Sequence, residues 1–390
     1  MQKKYKIRYG GSSCDQKEYL AVMRSVEESI ATGGWQQGKQ GALLERELSR
    51  FLKVKHAILT TSGSCAGLLA LSALELPKGS EVIISAVTFP TIFNIILQCG
   101  LVPVVVDAKV GTYNFDIEDV RNAITDKTSA VIAIHALGNP CDMPALMRLV
   151  DGTDIKVIED NCDGIGGKIG SRMIGAYGHV SITSFHAAHI VSMGVGGGVF
   201  TDDSELARRV RQYRDWGRVA DTTQPHSCKQ LPKDYNPRFV YDKIGYNFQI
   251  LDLQAAMGRV QLRKAGRIKR MRKANFDYLL KHLSKHGDLV MPKWMKKADV
   301  CWFAFPISVT NGVSRGKLVD HLEKSGIETR SLFAGQIHKH PAYANSDYRL
   351  SGDLTESEHI LNNSFWISVH PRNTKKDNDY IIKAFNDFFR

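Results

Sequence analysis

Two histidines three residues apart, His186 and His189, stand just ahead of a glycine cluster at Gly194, Gly196, Gly197 and Gly198. Glycine lets a backbone approach a ligand closely, and imidazole moves protons near neutral pH. The segment reads as a loop holding a base against a ligand, or as a turn with structural histidines. Upstream, Glu159-Asp160-Asn161-Cys162-Asp163 closes an apolar run with three carboxylates. Acids at the end of a buried strand are costly unless something positive meets them. A protonated pyridine nitrogen would serve, whereas a metal is poorly supported because no His stands at ligand spacing; a helix cap is the structural alternative. Further upstream, Ser62-Gly63-Ser64-Cys65 joins a strand to a helix. Small residues there offer unpaired N–H groups and a favourable dipole to a phosphate, or simply a turn capped by serine. The segment is neither a P-loop nor a GxGxxG dinucleotide loop.

These segments need a rigid frame. His56–Thr60, Glu81–Ser85, Val102–Val106, Ala130–His135 and Ile155–Glu159 are short apolar runs, mostly β-branched, that alternate with helical patterns such as Ala66–Leu76. Near-continuous apolar strands suit a mainly parallel sheet covered on both faces. Sites in such sheets lie at the carboxyl ends of strands. A long helix is expected over Leu251–His286. Beyond it, strands at Val300–Val309 and Ile327–Leu332 and helices at Ser314–Ser325 and Asp377–Phe389 suggest a smaller α+β unit. The expected fold class is α/β, with a large domain over 12–255 and a small C-terminal domain over 256–390.

The 390 residues are 43% hydrophobic and 24% charged, which excludes a disordered or fibrous chain. No run reaches the ~18 apolar residues of a membrane helix, and the basic N-terminus has no apolar run behind it, so no secretory signal is expected. Seven cysteines without CxxC spacing fit reduced thiols in a cytoplasm. The net charge of +12 peaks at Arg263–Lys273, where seven of eleven residues are Lys or Arg. Leu262, Ala265, Ile268 and Met271 recur there at helical spacing, which predicts an amphipathic helix with a solvated basic face. Aromatics do not interleave with the charges, so neither nucleic acid nor membrane is an expected partner.

In this order, the Ser-Gly-Ser turn, the Glu159-Asp160 pair and the Ser184-Phe185 segment with its Gly194-Val195-Gly196-Gly197 loop resemble the DegT/DnrJ/EryC/StrS sugar aminotransferase family. That family has the type I fold of pyridoxal-phosphate enzymes and acts on keto nucleotide sugars. The likeness continues in Gly245-Tyr246-Asn247, Gln254-Ala255-Ala256 and Gly326-Ile327-Glu328-Thr329-Arg330. One departure is informative: where aminotransferases carry the lysine that binds the cofactor covalently, this chain has His189. That replacement is similar to the 3-dehydratase branch, which makes 3-deoxysugars for lipopolysaccharide-type glycans.

The resemblance implies a lyase using pyridoxamine phosphate, interconverting with pyridoxal phosphate, on a 4-keto-6-deoxy nucleotide sugar. His189 and Asp160 would be catalytic, as proton-transfer group and as partner of the ring nitrogen. Gly63, Ser64, Cys65, Phe89, Asp160, Asp163, Ser184 and Asn247 would bind the cofactor, with Asn247 reaching the neighbouring subunit's phosphate in a homodimer. Members acting on CDP-sugars hold a [2Fe–2S] cluster through the cysteine of this acidic string and three more after Asp215-Trp216-Gly217-Arg218. Here only Cys162 and Cys228 remain, with His226 nearby, too few for such a cluster. No metal is expected, and L-glutamate is the expected amine donor. The alternatives are an aminotransferase working without the lysine and a silent cofactor-binding relative.

Overall fold

The computed structural model describes residues 5–219 and 228–390. Eight strands form one sheet in the spatial order His56–Thr60, Gly197–Thr201, Val180–Ser184, Lys156–Asp160, Thr128–Ile134, Glu81–Ser85, Val102–Val106 and Arg349–Leu350. Only Gly197–Thr201 runs antiparallel to its neighbours; the other pairs are parallel. Successive strand residues point to opposite faces, and here both faces are apolar. Ile84, Ile132 and Ile158 enter a core with the helices Gly63–Leu74 and Pro90–Gln98. Their neighbours Ile83, Val131 and Val157 enter a second core with Val120, Met143 and Leu146 from the helices on the other side.

A smaller antiparallel sheet, in the order Leu289–Val290, Ala304–Val309, Ser364–Ser368 and Thr329–Ser331, packs on helices Arg315–Lys324 and Lys375–Phe388. The expected long helix spans Asp252–Leu283 and joins the bodies. Ala265 and Ile268 pack beside the large sheet, while Phe276, Leu279 and Leu283 belong to the core of the small one. The chain also crosses back. Arg349–Leu350 pairs with the large sheet's edge, Ile337, Tyr343 and Leu354 pack in its core, and Ile7 bridges to Ile327 in the small body.

The basic run within the long helix differs from expectation. Met271 is 37% exposed, whereas Arg272 is 1% exposed and takes its place in the apolar stripe. Buried positions 265, 268, 272, 276, 279 and 283 follow the three-and-four spacing of a helix face. Three other charges of the run are met by acids: Lys264 by Asp15 and Glu18, Lys269 by Asp299, and Lys273 by Asp277. Among the described residues, no helix is long and apolar enough to cross a membrane.

Candidate active site

The carboxyl ends of the central strands open into a cavity of about 750 Å³ between the two bodies. Its lining includes Gly63, Ser64, Phe89, Asp160, Asp163, Ser184 and His189, so the structure brings together residues that the sequence scatters over 127 positions. Each is placed by a local device. Ser62 caps the helix Gly63–Leu74, its hydroxyl accepting from Cys65 N–H at 3.1 Å. Ala66 N–H donates to the Ser62 carbonyl. The N–H groups of Gly63 and Ser64 are left as first-turn donors without an intrahelical partner. A Cβ on Gly63 would stand 2.7 Å from the Ser184 Cβ, so glycine is what lets this turn lie against the neighbouring strand end.

Glu159 and Asp160 end their strand pointing to opposite faces. Glu159 is fully buried and accepts from four donors: Gly175, Tyr177 and Gly178 N–H at 2.6–2.7 Å and His135 Nε2 at 3.1 Å. It is a structural acid. Asp160 faces the cavity, and its Oδ1 accepts from Cys162 N–H at 3.1 Å. Burial raises its pKa, partly offset by Cys162 and by His135. A cationic ring nitrogen fits beside such an acid.

His189 sits in a loop closed by Phe185 N–H donating to the Gly196 carbonyl and Met193 N–H donating to that of Phe185. Its Nδ1 lies 3.1 Å from the Ser184 carbonyl. A carbonyl only accepts, so Nδ1 carries the proton and Nε2 keeps its lone pair. Nε2 is 3.8 Å from Asp163 Oδ1. Burial first, then the neighbouring His186, push the His189 pKa down to about 4. Burial, then the Asp160 charge, push Asp163 up to about 7. Both shifts favour a neutral imidazole beside a protonated carboxyl. Phe303 packs edge-on against His189, ring centroids 5.4 Å apart.

Among the described residues, no lysine lines the cavity. A profile of the DegT/DnrJ/EryC1/StrS aminotransferase family matches residues 16–386. The chain belongs to this family. Lipopolysaccharide biosynthesis protein RfbH of Salmonella typhimurium is 39% identical over 93% of this chain and 88% of its own length. The dTDP-4-dehydro-2,6-dideoxy-D-glucose 3-dehydratase of Saccharopolyspora spinosa is 35% identical over 98% and 86%. A solved GDP-4-keto-6-deoxymannose-3-dehydratase with a trapped PLP–glutamate geminal diamine superposes with a TM-score of 0.88, at 27% identity, over 97% of this chain and 99% of that one. The α/β fold is thus that of this pyridoxal-phosphate-binding family, whose relatives act in nucleotide-sugar and lipopolysaccharide biosynthesis.

Two expected cofactor contacts lie apart from the cavity. Cys65 gives its N–H to Ser62 and does not line the opening. Asn247 is exposed on the surface, bridged to Asp215. Phe89 lines the mouth with an exposed ring. His226 lies outside the described residues; Cys228 is exposed, and Cys162 lines the cavity. Tyr9, Phe303, Arg330 and Trp366 also line the cavity, and sequence reading assigned none of them a role. Phe303 precedes the strand Ala304–Val309 and Trp366 lies within Ser364–Ser368, and no local signal shows that these elements face His189.

Proposed function

We propose that this chain is a 3-dehydratase of 4-keto-6-deoxy nucleotide sugars that uses pyridoxamine phosphate and is recharged by L-glutamate. The observation that carries this reading is His189: a neutral imidazole, its Nε2 facing Asp163 at 3.8 Å, stands in a cavity that no lysine of the described residues enters. The residues fit the cofactor. Asp160 would hold the ring nitrogen protonated, the Gly63 and Ser64 N–H groups and the Ser184 hydroxyl would take the phosphate, and Phe89 would cover a ring face. When bound, the cofactor supplies an amine for the C4 ketone and a sink for electrons. His189 Nε2 removes a proton on the cofactor side and delivers it to the departing C3 hydroxyl, which leaves as water. Asp163 faces Nε2 and keeps that nitrogen directed into the cavity. The relatives named as 3-dehydratases support this reading, as does the glutamate adduct in the solved structure.

The active form in this proposal is a homodimer. Asn247 lies on a surface with Phe239, Tyr241 and Ile244, whose side chains are exposed, Ile244 to 94%. Such a cluster of apolar residues suits burial against a second copy, which would bring Asn247 to the partner's phosphate site. The test is incubation of the purified protein with pyridoxamine phosphate, L-glutamate and 4-keto-6-deoxyhexoses carried on CDP, GDP or dTDP. The expected product is a 3-deoxy ketone, lost in His189→Asn with ~10²–10⁴-fold lower rate. A 4-amino sugar would show an aminotransferase, and an unchanged substrate across all three nucleotides a silent relative.

A further inference from the structure

Among the described residues the largest fully buried side chain is a charged one, Arg272 of the long helix. Among the described residues no carboxylate forms an ion pair with it. An unpaired buried cation is costly unless dipoles satisfy it, and a leucine or methionine would fill this stripe without that cost. What the guanidinium holds is specific. One terminal nitrogen donates to the Phe303 carbonyl at 2.6 Å and the other to the Ala188 carbonyl at 3.2 Å. The guanidinium carbon lies 5.4 Å from the centre of the Phe303 ring. Ala188 shares a peptide with His189, and the Phe303 ring is the wall against which the imidazole packs.

We infer that Arg272 is the positioning residue of His189, its planar fork clamping the peptide before the imidazole and the residue that walls it. The inference rests on the proposed dehydration for its kinetic consequence, but its geometry does not depend on it. A lysine at this position supplies a compact point charge and not a planar fork. The charge acts as well. Nε2 of His189 is faced by Asp163 from the strand end and the ring by His186 from its own loop, while Arg272 approaches from the long helix. Cys301 and His370 complete the titratable groups around the guanidinium. Burial and His186 account for most of the depression of His189, and the Arg272 cation adds to it. Removing that cation makes the imidazolium less disfavoured, so the His189 pKa must rise.

The test is histidine-selective NMR titration of the full-length protein, the His189 signal being assigned by its loss in His189→Asn, together with steady-state kinetics. In Arg272→Met, the His189 titration is expected to move to higher pH. Turnover is expected to fall ~10²-fold, as for a displacement of about 1 Å, with KM for the sugar nucleotide near wild type. In Arg272→Lys, which keeps the charge, the titration stays near wild type and kcat lies between the two. An unmoved titration in Arg272→Met, or a loss shared equally by kcat and KM, overturns the inference. Should Arg272→Met fail to fold, the lysine variant decides: lowered kcat with an unmoved titration supports the clamp, and wild-type kcat refutes it. A wild-type protein that forms no 3-deoxy product would refute the dehydration instead, and the titration would still judge Arg272.

Discussion

Glu159→Gln separates a structural acid from a cofactor-binding one. Glu159 accepts two backbone N–H groups on Oε1, from Tyr177 and Gly178, and on Oε2 accepts Gly175 N–H and His135 Nε2. Glutamine replaces one of these oxygens with an NH2 group. Whichever way the amide is turned, two buried donors lose their acceptor and face another donor. His135 cannot relieve this by changing tautomer, because its Nδ1 already accepts from Cys141 N–H at 3.2 Å. Each buried donor left unpaired costs about 1–3 kcal/mol, so the substitution should cost about 2–6 kcal/mol. That is a large share of a stability of roughly 5–15 kcal/mol. Urea denaturation at one protein concentration, followed by circular dichroism without added cofactor, measures it. Glu118→Gln is the control: Glu118 pairs with Arg121 at 3.2 Å with both side chains exposed, and should change stability by less than ~0.5 kcal/mol. If Glu159→Gln lies within ~0.5 kcal/mol of the parent, the four-donor argument is wrong.

Asp252, the first residue of the long helix, accepts N–H groups of Gly38, Gln40 and Gly41 at 2.7–2.9 Å and so caps the helix Lys39–Leu52 from a distance. Asp252→Ala should speed hydrogen exchange in residues 39–45 by ~2- to 30-fold, since a lost cap costs about 0.5–2 kcal/mol; unchanged protection there would count against it. Stability should also fall as pH drops through about 6 to 4.5. His189 and His370 are both held at about 4 when folded, by burial first, and the unfolded chain protonates both at ~6.5. Asp163, raised to about 7 by burial, opposes them by keeping a proton in the folded state. These three groups together leave about one more proton on the unfolded chain, a contribution of about 1.4 kcal/mol lost per pH unit. Asp163→Asn should roughly double that slope in urea midpoints, and an unaltered slope would contradict the assignment. Turnover should run with L-glutamate alone and yield 2-oxoglutarate. Cys162, Cys228 and His226 are too few ligands for a [2Fe–2S] cluster, so elemental analysis finding two irons per chain would be the decisive contrary result.

The strands and the chemistry-bearing strings were legible in the sequence because both are local. Val157, Ile158 and their counterparts mark a sheet buried on two faces wherever the chain is met. The serine turn, the acid pair and the His189 loop keep their order, because each sits at a strand end and a parallel sheet gathers strand ends on one side. Sequence also singled out His189, which the structure places in a cavity lined by no lysine of the described residues. The residue pattern alone did not sort the three carboxylates of Glu159-Asp160-Asn161-Cys162-Asp163, and only the resemblance singled out Asp160 and Asp163. Strand alternation sends Glu159 to the backbone donors of residues 175–178, while Asp160 faces the cavity, and only the packed fold supplies those donors. Nor did it distinguish Met271 from Arg272. Adjacent residues on a helix differ by about 100° in direction, and hydrophobicity alone favours burying the methionine. The carbonyls of Ala188 and Phe303, 84 and 31 residues away, reverse that preference. A buried guanidinium is tolerated only where distant backbone dipoles converge on it, and that convergence exists only once the two bodies have closed around the long helix.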